Sequence, residues 1–83
     1  MLVFTQSGQY LFDTDFVFID YDSGCECPHV IFGKYKDLNI DLGYYSSEEN
    51  AYKVLKYFYD DLNFRFRDSR NYIFRFPKDK DVI

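Results

Sequence analysis

Leu42-Gly43-Tyr44-Tyr45-Ser46-Ser47-Glu48-Glu49-Asn50-Ala51 decides the fold of this 83-residue chain, because a strand end, a turn and a helix start fall within ten residues. Just upstream, Leu38, Ile40 and Leu42 alternate with Asn39 and Asp41, the period-two mark of a half-buried strand. Gly43 is read as the break that ends this strand. Ser46 stands three residues before Glu49, the spacing at which a serine and a glutamate side chain satisfy each other's backbone N–H groups at a helix start. Glu48 and Glu49 also place negative charge at the positive end of the helix dipole.

Downstream of that block, Ala51, Val54, Leu55, Phe58 and Leu62 fall at i, i+3, i+4, i+7 spacing, so the sequence predicts a helix over 47–62 with one apolar stripe. Upstream, the patterns read as a hairpin of residues 2–5 and 9–12 turning at Ser7-Gly8, then a strand over 15–21. Apolar residues on both faces of that strand (Phe16 and Phe18 against Val17 and Ile19) mark it as central. A loop follows over 23–28, a strand over 29–35, a turn at Lys36-Asp37 and the strand ending at Leu42. Phe64-Arg65-Phe66-Arg67 alternates briefly, residues 72–76 form a last strand, and Pro77 ends it ahead of a loose tail over 77–83. The predicted architecture is α+β: one domain over 1–83, a curved antiparallel sheet of five or six strands on one amphipathic helix, in the order β-β-β-β-β-α-β.

Aromatic residues make up 23% of the chain, ten Phe and nine Tyr without a Trp. Large rings therefore supply the core, and the surplus of tyrosine serves as contact surface. No apolar run approaches the roughly 20 residues of a membrane span, and no basic segment precedes a hydrophobic one. The expectation is a cytoplasmic protein. A net charge of −4 argues against general affinity for nucleic acid. Over residues 1–33 the acids are Asp13, Asp15, Asp20, Asp22 and Glu26 with no Lys or Arg, while all four arginines fall between Arg65 and Arg75. This skew suggests a partner with a basic face.

Cys25-Glu26-Cys27-Pro28-His29 is the one segment with the look of a ligand set. Two thiolates and an imidazole would fill three corners of a zinc tetrahedron, with Glu26, Asp22 or a partner residue as the fourth, but structural sites usually draw on two separated pairs and the chain has no other Cys or His. The reading is a loop with two reduced thiols, and no metal or cofactor is expected. A catalytic triad needs an orienting carboxylate and an oxyanion hole on a rigid scaffold, and nothing supplies the second, so the chain reads as non-enzymatic. The acidic string lacks the order of an EF-hand. Two readings of it stand: an edge strand kept soluble by charge, or carboxylates that imitate nucleic-acid phosphates and enter a basic groove, with Tyr21 beside them. The run Arg65, Arg67, Arg70 and Arg75 with Tyr59 and Tyr72 has three readings. Its Phe neighbours close the core while the arginines pair with Asp60, Asp61 and Asp68; or guanidinium groups and rings clamp a nucleotide-like anion; or they bind single-stranded nucleic acid.

Leu42-Gly43-x-Tyr45-x-Ser47-Glu48-Glu49-x-Ala51-x-x-Val54-Leu55, the late Phe74-x-Phe76-Pro77-x-Asp79-x-Asp81-Val82 and the opening Met1-Leu2-Val3-Phe4-Thr5-Gln6-Ser7 together resemble a family of small proteins from phages and integrative elements of Gram-positive bacteria. Residues 23–28 and the arginine-rich segment after Leu62 lie outside the resemblance. What it implies, joined to the acidity and the tyrosines, is a non-enzymatic accessory protein of a mobile element. Such a protein would bind and inhibit a host protein in the bacterial cytoplasm, a nucleic-acid-handling defence enzyme with a basic surface, in the manner of an anti-CRISPR antagonist. Asp13, Asp15, Asp20, Asp22, Glu26 and Tyr21 would form the contact surface. The alternative is a homodimer or larger homo-oligomer that sequesters a nucleotide-like ligand with the arginine cluster.

Overall fold

The computed structural model describes residues 2–65 and 73–82, the side chains of 64 and 65 excepted. The elements are β1 (Leu2–Phe4), β2 (Leu11–Asp13), β3 (Val17–Tyr21), β4 (His29–Tyr35), β5 (Leu38–Tyr45), α1 (Glu48–Arg65) and β6 (Ile73–Arg75), followed by a 3₁₀ turn at Asp79–Asp81. The α+β class agrees with the sequence pattern, but the single antiparallel sheet does not. The strands divide into two three-stranded sheets, β2-β1-β6 and β3-β4-β5. In the first, β1 runs antiparallel to β2 and parallel to β6, with Leu2 opposite Ile73 and Phe4 opposite Arg75. A parallel pair needs a long crossover, and here α1 lies within it.

The helix starts one residue later than its expected cap. Ser47, not Ser46, is the cap: its Oγ accepts the N–H of Asn50 at 3.1 Å. Ala51, Val54 and Phe58 are fully buried, with Leu55 and Leu62 half-buried beside them, so the predicted stripe does face the core. Phe58 is the centre of a ring cluster. It meets Phe74 edge-on at 5.4 Å and lies over Phe76 at 6.0 Å, and those two meet each other at 4.9 Å. The helix thus binds β6 to the inner face of the second sheet, where Val17, Ile31, Leu42 and Tyr45 complete the core.

Within that second sheet, β4 and β5 close through the two-residue turn Lys36-Asp37, with Lys36 in the left-handed region at φ 55°. Gly43 does not end β5. It sits beside the register shift at Ile31/Phe32, and the strand continues to Tyr45. The glycine is needed because the Tyr45 ring folds back over it: a Cβ at Gly43 would lie 2.7 Å from Tyr45 Oη and 2.9 Å from its Cε2. Strand β3 is an edge, not the centre, and β4 takes the central place. Apolar groups on both faces of β3 reflect a buried inner side and an aromatic outer one. Tyr59 protects that edge, donating its O–H to the Val17 carbonyl at 2.8 Å and accepting the Val17 N–H at 3.2 Å.

Gln6 ties the two sheets together. Its backbone N–H donates to Leu42 O at 2.6 Å. Its carboxamide acts as one more peptide group on the β5 edge, with Nε2 donating to Tyr44 O at 3.0 Å and Oε1 accepting the Tyr44 N–H at 3.1 Å. Nε2 also reaches Pro77 O at 3.1 Å, and the Tyr45 hydroxyl donates to that carbonyl at 2.8 Å. Asp79 Oδ1 then accepts the Ser46 N–H at 2.9 Å and Asn50 Nδ2 at 3.1 Å. Residues 77–82, expected as a loose tail, are held by these bonds, and Val82 packs on the core. Residues 2–7, 42–55 and 74–82 therefore meet at one joint, through Gln6, Tyr45, Ser46, Asn50, Pro77 and Asp79.

Candidate protein-binding face

Alternation along β3 and β4 sends Val17, Ile19 and Ile31 inward and Phe18, Asp20, Val30 and Phe32 outward. On this outer face Val30 is buried, Phe18 and Phe32 are half-buried and Phe16 is exposed. Phe18 and Phe32 are direct cross-strand partners, stacked at 5.6 Å. Phe16, 57% exposed, extends the row at 5.8 Å from Phe18. Three phenyl rings, one exposed and two half-buried, thus cross the outer face of a sheet whose opposite side faces the core.

Carboxylates border that row at one end. Asp20 lies near the end of β3, Asp22 follows its last residue, Glu26 stands on the loop after it, and all three are exposed. Asp22 also builds its loop, since Oδ1 accepts the Gly24 N–H at 3.0 Å and Oδ2 the Cys25 thiol at 3.4 Å. That hydrogen bond from the thiol is the first cause that raises the Cys25 pKa. On β5 the Tyr44 hydroxyl donates to Asp41, and this bond, followed by desolvation, pushes the Tyr44 pKa up to about 12. Asp41 is the outward neighbour of Phe32, so the acidic border continues onto the third strand.

The acidic string read in the sequence is divided by the fold. Asp13 ends β2 and Asp15 lies in the turn before β3; both are exposed, and both are already engaged in interactions of their own. Asp20, Asp22 and Glu26 gather at the far end of β3. Tyr21 is exposed but points to the helix side, edge-on to His29 at 5.3 Å. His29 shares that inner face with Ile31, whereas Cys25 is turned toward Asp22, so the Cys25, Cys27 and His29 set is not assembled. Among the described residues no group of three His, Cys, Asp or Glu side chains is placed to hold a metal ion.

Of the arginine cluster, Arg75 is exposed on β6 with its guanidinium over the Phe4 ring at 4.7 Å. Tyr59 commits its hydroxyl to Val17. Arg67, Arg70 and Tyr72, and the side chain of Arg65, lie outside the described residues, as do Phe66 and the Asp68 proposed to pair with them. No described helix is long and apolar enough to cross a membrane. The phenyl row was the feature missed in the sequence. Its signal was the second apolar face of β3, which was assigned to burial in a central strand.

Compared with protein-family models, curated proteins and solved structures, the chain matches none.

Proposed function

We propose that this chain is a non-enzymatic protein-binding domain that docks through the outer face of β3-β4-β5 and antagonises a host protein with a basic surface. The observation that carries the reading is the row of exposed Phe16 and half-buried Phe18 and Phe32, bordered by Asp20, Asp22, Glu26 and Asp41. An aromatic centre with a charged rim is the usual anatomy of a protein interface. Rings supply the energy of such a contact, while carboxylates steer a basic partner and reject acidic ones. The mobile-element resemblance makes a nucleic-acid-handling defence enzyme the favoured target, since its groove is basic. This narrows the expected acidic surface to its β3 end and adds the rings as its anchor.

The test places a photo-crosslinking phenylalanine at position 16 and, as control, at Lys56 on the solvent side of α1, in cells of the host. Position 16 should capture one protein that position 56 does not. The double change Phe16→Ser and Phe32→Ser should lose it, and Asp20→Asn with Glu26→Gln should weaken capture most at low salt. The captured protein, once purified, should lose its activity on addition of the wild-type chain. Equal capture by the face variants, or an unaffected target, would sink the proposal.

A further inference from the structure

A separate recess lies where the end of β3, the start of β4 and the first turns of α1 meet, lined by Ile19, Asp20, Tyr21, His29, Glu48 and Tyr52. Two tyrosines on different elements stand at it largely exposed, Tyr21 at 62% and Tyr52 at 55%. His29 steadies the first of these rings by its edge contact at 5.3 Å. The acids are oriented too. Asp20 Oδ1 accepts the Tyr21 N–H at 2.8 Å, which fixes its carboxylate at the strand edge and leaves its second oxygen available. Of the two glutamates at the helix start, Glu48 lines the recess, while Glu49 pairs with Lys53 at 3.6 Å. Among the described residues no Lys or Arg lines it.

We infer that this recess takes the guanidinium of an arginine side chain from a partner. A flat cation can lie against tyrosine faces while its N–H fork reaches the carboxylates on either side. An ammonium is a compact point charge and uses only part of that arrangement. Anions are excluded by Asp20 and Glu48. The inference goes beyond the outer-face reading and shares only Asp20 with it: the recess lies on the helix side of β3, so it survives the loss of Phe16 and Phe32, and the phenyl row survives the loss of Glu48 and Tyr52.

The experiment is an amide NMR titration of the full chain with N-acetyl-arginine methylamide, with matched arms of N-acetyl-lysine methylamide, tetramethylammonium chloride and sodium chloride. Saturable shifts in the millimolar range are expected at residues 19–21, 29 and 48–52, with arginine the tightest of the four. Both Glu48→Gln and Tyr52→Ala change exposed side chains and should keep the spectrum of the folded chain while weakening arginine binding about fivefold each. Shifts that do not saturate, that sodium chloride reproduces, or that persist in both variants would overturn the site. Lysine or tetramethylammonium binding as tightly as arginine would overturn its assignment to guanidinium.

Discussion

Replacing Gln6 with alanine isolates what joins the two sheets. The change deletes three side-chain hydrogen bonds, two on the backbone of Tyr44 and one on Pro77 O, and leaves the Gln6 N–H to Leu42 O bond in place. The Tyr44 pair is exposed, so water replaces much of it and each bond contributes at the low end of about 0.5–1.5 kcal/mol. The Pro77 bond is part-buried and counts for more. A loss of about 2 kcal/mol follows, a drop in Tm of roughly 8–16 °C for a domain of this size. Urea denaturation and a thermal scan of wild type and variant read it directly. Gln6→Glu is the sharper control. A carboxylate still accepts the Tyr44 N–H, but it turns lone pairs toward two carbonyls that had received a donor. At neutral pH it should be at least as destabilising as alanine, and it should recover in part on acidification, when the protonated acid regains one donor. A Gln6→Ala variant within about 0.5 kcal/mol of wild type, or a neutral Gln6→Glu that matches wild type, would refute the sheet-joining role.

Tyr59→Phe removes the group that caps both edge-facing polar atoms of Val17, itself buried, and should cost about 2 kcal/mol; light scattering should show added self-association through the exposed β3 edge, and an unchanged urea midpoint would count against the cap. Gly43→Ala drives a methyl into the Tyr45 ring, which cannot move without releasing Pro77 O, so a loss of about 1–3 kcal/mol is expected by urea denaturation. Asp79 is held below the usual carboxylate range, first by the Ser46 N–H and also by Asn50. Its folded pKa lies below its unfolded one, so its stabilisation is complete above the unfolded value and fades as pH falls through the folded value. Asp79→Ala should therefore cost about 1 kcal/mol near neutrality, and denaturation curves of variant and wild type should converge as acidification carries the pH below the usual carboxylate range. A gap that stays constant with pH would show that the charge of Asp79 does not matter.

The division between the readable and the unreadable follows the range of the forces. Strand β4 falls over the residues where its short apolar run placed it, as does the Lys36-Asp37 turn, and Ala51, Val54 and Phe58 face the core as their spacing required, because each pattern is set by neighbours a few residues away. The cap slipped by one residue because Ser46 and Ser47 are chemically equivalent candidates, and in the fold Ser47 Oγ takes the Asn50 N–H while the Ser46 N–H goes to Asp79, 33 residues on. The acids were legible as a string but not as a site. Their residue types are local facts, whereas the separation of Asp13 and Asp15 from Asp20, Asp22 and Glu26 belongs to the turn that leads into β3. Apolar residues on both faces of β3 had two explanations, burial on two sides or an aromatic surface on one, and sequence periodicity does not distinguish them.

Composition and short-range pattern thus determined an α+β domain, its helix stripe, its central hairpin and a ring-filled core. Tertiary structure alone decided that β1 pairs with β6 in parallel, that the strands form two sheets, and that Gln6, Tyr45, Pro77 and Asp79 close the joint between them. A period of two tells a strand which of its faces to bury. It carries no information about which distant edge supplies the hydrogen bonds, since every backbone offers the same donors and acceptors, and that choice falls to the packing of Phe58, Phe74 and Phe76 at the centre.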